Sequence, residues 1–462
     1  MKRLFIILSF LTFGVSFAQE VTNILTLEEY LGYVKKYHPV VKQAQLITSE
    51  SETKLLKSRG AFDPKLEVDY SRKKFKNTTY YDKLNASFKI PTWYGVQFKA
   101  NYENNEGVYL NPEYKTPEDG LYSLGVSVSL AKGLLTNNRM ATLKQAKLYV
   151  KQAEAKQKIA VNEVLYAAIT SYFNWLKNYQ AKLIYTNYMQ NANERLQNVK
   201  ISFIEGDKPA IDTLEASINY KSRLVDLEKA KIGYLKSKLE LSNYLWLDNN
   251  LPLELEEKMI PDSLTITKID LVLNSSILNI DDELVNNNPK LQALELKKES
   301  LILDKRLKSN NLLPKVDLEY NFLSSDYENT DSFNTANYKT GLNMSFPLFL
   351  RKERGDLKLA KLKLQDVEFD ISANRVSIKN KIESTQQEII SYSKQYTILN
   401  DLVKDYKQLV HKEDRRFMLG EGSLFLVNYR EVKLIESQLK KIESEYKLFN
   451  SKSNLLRILT AL

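Results

Sequence analysis

Pro64 followed by Leu66-Glu67-Val68-Asp69-Tyr70 returns 250 residues later as Pro314 followed by Val316-Asp317-Leu318-Glu319-Tyr320. Leu66, Val68 and Tyr70 share one face of an extended chain, while Glu67, Asp69 and Ser71 share the other. That period of two predicts a strand with one apolar and one polar side. The repetition extends outward in order. His38-Pro39 matches Asn288-Pro289 at the same offset of 250, Tyr122-Ser123-Leu124-Gly125 matches Tyr338-Lys339-Thr340-Gly341 at 216, and Phe203-Ile204-Glu205-Gly206 matches Phe417-Met418-Leu419-Gly420 at 214. Four matches in one order argue for a duplicated unit. The drop from 250 to 216 places 34 extra residues in the first copy, between Tyr70 and Tyr122.

Each copy predicts a helix, strands, a very long helix, a glycine-containing turn and a return helix. Asn288 is a good N-cap with Pro289 at the first helical position, where a missing N–H costs nothing; His38 takes the corresponding place in the first copy and is read as a helix-start residue, not a ligand. Further alternating strands follow: Leu84, Ala86, Phe88 and Ile90; Val96, Phe98, Ala100 and Tyr102; Leu124, Val126, Val128 and Leu130. In the second copy Leu318, Tyr320 and Phe322, then Leu342, Met344 and Phe346, repeat the pattern. One apolar and one polar face suits a soluble sheet or a lipid-facing barrel with a wet interior. Tyr80, Tyr81, Trp93, Tyr94, Tyr102, Tyr109, Tyr114 and Tyr122 cluster here, as interfacial girdles require, and favour the barrel.

Asn137 to Glu205 contains neither glycine nor proline, and neither does Asp356 to Leu419. At 1.5 Å per residue each helix reaches roughly 95–105 Å. Apolar residues step along them by threes and fours: Leu165, Ile169, Tyr172, Leu176, Tyr179, Leu183 in one; Ile378, Ile382, Thr385, Ile389, Tyr392, Tyr396, Leu399, Val403, Tyr406, Val410 in the other. Ile435, Leu439, Ile442, Tyr446, Phe449, Ser453 and Leu456 continue it in a return helix. A 3.5-residue period predicts coiled-coil packing, here as antiparallel hairpins, with these stripes as core.

Composition narrows the chemistry. The 462 residues include 14 glycines, 11 prolines, two histidines and no cysteine. Scarce breakers fit long elements. The absence of cysteine excludes disulfides, thiolate zinc sites and cysteine nucleophiles. The net charge of +10 comes from 67 basic residues interspersed with 57 acidic ones, a pattern of solvated helices that argues against nucleic acid. No hydroxyl nucleophile has a paired histidine and no glycine-rich phosphate loop follows a strand, so neither enzyme activity nor a cofactor or metal site is expected. Met1-Lys2-Arg3, the apolar run Leu4 to Phe17 and the small residues Ser16 and Ala18 predict a cleaved secretory signal over residues 1–18. No later segment holds about 18 consecutive apolar residues, so any contact with lipid falls to strands or a surface.

In this layout the chain resembles the TolC-like family of outer membrane efflux channels, over essentially its whole mature length. The resemblance is carried by the His38-Pro39 and Asn288-Pro289 helix starts, the Pro64 and Pro314 strand starts, and two turn motifs. The turns run Gly206-Asp207-Lys208-Pro209-Ala210-Ile211-Asp212-Thr213-Leu214-Glu215-Ala216 and Gly420-Glu421-Gly422-Ser423-Leu424-Phe425-Leu426-Val427. It implies a mixed α and β chain in which duplicated units of transmembrane strands and long antiparallel coiled-coil helices form a homotrimer. Three protomers close one β-barrel in the outer membrane and continue as a helical tunnel through the periplasm. Elementary physics agrees, because four to six strands cannot close a barrel alone and open edges are intolerable in lipid. The expected division is a first repeat over 19–250 (strands about 64–131 with an inserted hairpin, helical hairpin about 136–248), an inter-repeat periplasmic segment over 251–282, and a second repeat over 283–462 (strands about 315–348, helical hairpin about 355–460). The inserted stretches 83–90 and 95–103 are expected to project outside the membrane; six strands per protomer is the alternative.

The resemblance further implies a passive conduit in a tripartite export system. A periplasmic adaptor of an inner-membrane pump docks at the tip, through Gly206, Asp207, Lys208, Gly420, Glu421 and Gly422, and acidic side chains after the turns constrict the closed entrance. Here Asp212 retains an acid, whereas the second copy has Leu426 and Tyr429 where acids are expected. The gate is therefore expected to be mainly apolar and aromatic, with Asp212 and Glu215 contributing from the other hairpin. The rival reading is a secreted coiled-coil scaffold or adhesin with a soluble sheet; a substrate-specific porin leaves the helical hairpins unexplained.

Overall fold

The computed structural model describes residues 23–256, 258–263, 269, 282–328 and 330–462. The expected signal over 1–18 and most of the inter-repeat segment lie outside the described residues. The chain divides into two compact units, one built from residues up to His38, Leu165–Ser276 and Glu388–Ser453, the other from Pro39–Val164, Ile277–Gln387 and Asn454–Leu462.

The second of these holds a single antiparallel sheet. Its strands are β1 (Lys65–Phe75), β2 (Thr78–Pro91), β3 (Val96–Glu106), β4 (Leu121–Ser129), β5 (Lys315–Ser324) and β6 (Tyr338–Ser345), paired in that order. The β1–β2 connection is a two-residue turn in which Lys76 and Asn77 have φ of 49° and 59°, the left-handed pair that a type I′ hairpin requires. Register aligns the faces across the sheet. Leu66, Phe88, Ala100, Leu124, Phe322 and Tyr338 face one another in one continuous apolar row. Lys65, Lys89, Lys99, Gly125, Asn321 and Lys339 form a polar row on the opposite side.

The inserted stretches are β2 and β3, two strands paired inside this sheet. The reason is phase: their apolar residues fall on the same face, at the same height, as those of β1 and β4, and an antiparallel sheet buries backbone hydrogen-bonding groups best by pairing equal lengths. Both outer strands, β1 and β6, are exposed along their whole length.

Helices α2 (Pro39–Arg59), α5 (Pro289–Asn310) and parts of α3 (Asn138–Ile204), α6 (Arg351–Met418) and α7 (Leu424–Leu459) complete this unit. Gln145 and Gln152 of α3, one heptad apart, donate to the Ser300 and Ala293 carbonyls of α5 at 3.2 and 3.0 Å, also one heptad apart. Opposite chain directions with a seven-residue step fit antiparallel coiled-coil packing. Asn288 caps α5 as anticipated, accepting from the Lys290 N–H at 3.0 Å, and its amide also donates to the Ile458 carbonyl at 2.7 Å.

The other unit contains α1 (Leu27–Tyr37), α4 (Ala210–Ser242) and the remaining turns of α3, α6 and α7. Leu165, Ile169, Tyr172, Phe173, Trp175 and Leu176 are buried, as are Ile389, Val403, Ile435, Ile442 and Phe449, so the stripes spaced by threes and fours form core; Leu183 is the exception, 44% exposed. The Tyr172 hydroxyl donates to the Leu25 carbonyl at 2.8 Å and accepts from the Asp262 N–H at 3.2 Å. It thereby fixes a short parallel pair, Ile24–Leu25 with Ile260–Pro261, against the helices. His38 closes α1 and stacks on Tyr244 at 5.8 Å. Burial lowers its pKa, which fits a packed neutral ring.

Glu445 on α7 is a buried carboxyl whose pKa rises from 4.5 to about 7, because burial disfavours the anion more than nearby Lys441 favours it. The linked stability is full below about pH 4.5 and is lost as pH climbs through 7, since the unfolded chain ionises first. Glu445→Gln should therefore raise the melting temperature at pH 8 and leave it unchanged at pH 4, measured by circular dichroism of the detergent-solubilised protein. An equal gain at both pH values would show that the carboxyl's charge is not what burial penalises.

Candidate functional site

The two helix reversals share one geometry. Gly206 and Gly420 have φ of 85° and 78°, the left-handed conformation that glycine adopts without a Cβ clash. Each donates its N–H three residues back, to Phe203 and Phe417, both at 3.1 Å. The next residue, Asp207 or Glu421, donates five residues back, to Ser202 at 2.9 Å or Arg416 at 3.0 Å. Both sites leave open space where a Cβ would stand. Gly422 differs: a Cβ there would meet the Phe417 backbone nitrogen at 3.0 Å, so its smallness serves packing within the turn.

The turns are neighbours. The Lys208 ammonium lies 4.5 Å from the centre of the Phe417 ring, a cation–π contact from the first turn to the end of α6. Beneath it Leu196, Val199, Ala216 and Leu424 form a small core flanked by Tyr220 and Phe417, with all four long helices contributing. Around the turns the surface is apolar: Ile204, Ile211, Met418, Leu419 and Phe425 are all more than 60% exposed.

Charges hold the four helices together one turn further in. Glu431 of α7 is 2% exposed and receives both guanidinium nitrogens of Arg195 from α3, at 3.3 and 3.4 Å. Arg223 of α4, also buried, lies 3.8 Å from the Oε2 that accepts from Arg195 Nη1. Arg195 also donates to Asn428 at 3.2 Å and reaches Asp414 of α6 at 3.7 Å, while Asn428 donates to Glu215 of α4 at 3.2 Å. Tyr188 beside this cluster has its pKa pushed up to about 12, by burial first and by the Glu431 charge second. Arg195, Asp414 and Glu431 line a polar cleft of about 880 Å³ that also takes in Asp207, Lys208 and Gly420.

Of the sequence-predicted residues, the structure brings Gly206, Asp207, Lys208, Gly420, Glu421 and Gly422 into two adjacent turns. Asp212 sits half-buried in the first turn of α4. Glu215 is engaged by Asn428. Leu426 is half-buried, while Tyr429 is 47% exposed and stacks on Phe425 at 6.4 Å. The charged cluster of Arg195, Arg223 and Glu431 was not anticipated; of the three only Glu431, four residues before Ile435, falls in step with an apolar stripe.

Residues 281–461 match the family model described as "Outer membrane efflux protein". That match covers the second repeat. Solved structures extend the likeness to nearly the whole chain. The Campylobacter jejuni CmeC outer membrane channel matches with a TM-score of 0.66 at 15% identity, over 94% of this chain and 85% of that one. The outer membrane protein VceC of Vibrio cholerae gives 0.66 at 14%, over 94% and 96%. The open state of the Neisseria gonorrhoeae MtrE outer membrane channel gives 0.65 at 13%, over 94% and 88%. No curated protein matches by sequence. The chain thus has the mixed fold of the outer membrane efflux channels, and the resemblance read from its turns and repeats stands. The matched family and structures are channels, not enzymes.

Proposed function

We propose that this chain is the outer membrane channel of a tripartite export system: a passive homotrimeric conduit from the periplasm to the exterior. The observation that carries the reading is the six-stranded sheet with one apolar face, one polar face and two edges that are unpaired among the described residues. In lipid those edges must be paired, and closing them between copies satisfies every backbone group while turning the apolar face to the bilayer. A secreted scaffold would instead leave Leu66, Phe98, Leu342 and Met344, each more than 50% exposed, in water. Among the described residues no helix is long and apolar enough to cross a membrane, which leaves spanning to the strands.

The helical hairpins extend into the periplasm in this reading, and the paired glycine turns meet an adaptor of an inner-membrane pump. Their exposed apolar rim supplies contact area, and their left-handed backbone offers a shape that side chains elsewhere do not copy. Energy comes from the pump. Opening is a shift between two packings of the tip helices, favoured by adaptor contacts that exist in one packing only. In the closed state Leu426 and Tyr429 narrow the entrance, with Asp212 and Glu215 contributing from the other hairpin.

Planar-bilayer recording of the purified protein tests this. A small resting conductance is expected, and Leu426→Ala combined with Tyr429→Ala should raise it several-fold. Resting conductance unchanged in the double variant would remove these side chains from the gate, and no conductance from a membrane-inserted trimer would overturn the channel itself.

A further inference from the structure

We propose, resting on the channel reading above, that the β2–β3 hairpin is a membrane-spanning part of the barrel wall. Three copies then close eighteen strands, not twelve, around an outlet wide enough for bulky hydrated cargo. The duplication defines the comparison. β1 corresponds to β5 and β4 to β6, so the repeat itself accounts for four strands, and β2 and β3 are what the first copy adds between its two.

Four observations place the addition in the wall. First, register: Leu66 of β1 faces Phe88, Phe88 faces Ala100, and Ala100 faces Leu124 of β4. The apolar row therefore passes through the hairpin without a step, and a hairpin standing outside the membrane would have no reason to carry it.

Second, length. β2 has 14 residues and β3 has 11. At about 3.3 Å per residue and a tilt of about 40°, β2 rises about 35 Å, more than the roughly 25 Å apolar band of such barrels.

Third, aromatic residues cap the hairpin at both ends. Trp93, in its helix-side turn, stacks on Phe62 at 5.6 Å, and at the far end Tyr80 packs on Tyr109 at 4.6 Å and Tyr102 on Tyr122 at 4.8 Å. Rings at two levels with Phe88, Ile90, Phe98 and Ala100 between them are the pattern of a strand pair crossing a bilayer.

Fourth, the polar face of the hairpin is wired to the strands on both sides. Lys89 pairs with Glu67 of β1. Lys99 of β3 reaches Glu319 of β5 at 2.6 Å, across the whole width of β4. That reach is open because Gly125, opposite Lys99 on β4, has no side chain in the way. A pair spanning an intervening strand ties the added hairpin to the duplicated strands on the side that faces water.

The consequence is width. With neighbouring strands about 4.8 Å apart and tilted by about 40°, eighteen strands enclose a backbone diameter of about 36 Å against about 24 Å for twelve. The inner face mixes both signs, Lys65, Lys89, Lys99 and Lys339 with Glu67 and Glu319, so it suits large hydrated solutes of either charge and offers no apolar binding groove.

Two experiments on the full-length protein decide. Electron cryomicroscopy of the detergent-purified assembly should count eighteen strands, with a barrel about 1.5-fold wider than a twelve-stranded one. Separately, the natural chain has no cysteine, so Phe98→Cys and Lys115→Cys each introduce a single thiol. A membrane-impermeant maleimide added to intact cells should label Phe98→Cys at least tenfold more slowly than Lys115→Cys, which sits in the β3–β4 loop. An assembled trimer with twelve strands, or equal labelling of the two thiols, would overturn the inference and leave the channel standing. The absence of any barrel would overturn both.

Discussion

Glu431→Ala should loosen the end of the helical hairpins more than any other single truncation there. Removing the carboxylate leaves the Arg195 and Arg223 guanidinium groups facing each other in an interior where Arg223 is 6% exposed. Breaking a buried ion pair from one side costs about 3–5 kcal/mol, far beyond the worth of the pair against an apolar replacement. Native-state hydrogen exchange should report it directly. Amides of α3 near Leu196 and of α4 near Ala216 should lose protection by about a hundredfold or more, since each 1.4 kcal/mol is about tenfold. Amides of the β-sheet should not change. The triple replacement Arg195→Leu, Arg223→Leu, Glu431→Leu should restore most of that protection, because like charges no longer oppose each other. If Glu431→Ala exchanged like the natural protein, the cluster would be a surface ornament and not a clamp on the four helices.

Leu124→Arg should abolish assembly in the outer membrane. Leu124 stands mid-row on the apolar face, between Ala100 and Phe322, and an arginine at the bilayer midplane of a barrel costs about 2–4 kcal/mol. Three copies in one barrel multiply that cost. Ser127→Arg is the matched control. Ser127 lies on the polar face opposite Glu319, so the same charge there meets water and a carboxylate. Heat-modifiable gel migration and partition into the outer membrane fraction should be lost for Leu124→Arg and kept for Ser127→Arg. Loss in both, or in neither, would mean that the two faces do not differ in environment.

The architecture was legible because it rests on periodicities. Alternation fixed which side of each strand is apolar, and steps of threes and fours from Ile378 to Val410 marked one helix stripe over many turns. The glycine turns were legible for a similar reason: Gly206 and Gly420 end stretches with no other breaker, and a left-handed reversal is what glycine is suited to provide. The destination of the inserted hairpin was not, because alternation gives the face of a strand but not its neighbours; only register shows that Phe88 lies between Leu66 and Ala100. The charged clamp was hidden more deeply. Arg195, Arg223 and Glu431 come from three helices, and a charged residue on a long helix is ordinarily solvated. Their burial depends on which helices pack together, a property of the fold and not of local sequence. Glu215, expected near the constriction, also has a contact that local sequence does not show: it accepts from Asn428 of α7.

Everything in this account depends on the outer edges β1 and β6 pairing between copies. Paired cysteines in the otherwise cysteine-free chain test that most directly: one scanned along Leu66 to Ser71, the other along Leu342 to Ser345, then oxidised in the assembled protein. The account predicts that matched positions give covalent dimers and trimers and nothing larger, with reactivity alternating by residue as strand faces alternate. Monomer at every pair, from a chain that stays folded in water without detergent, would contradict it.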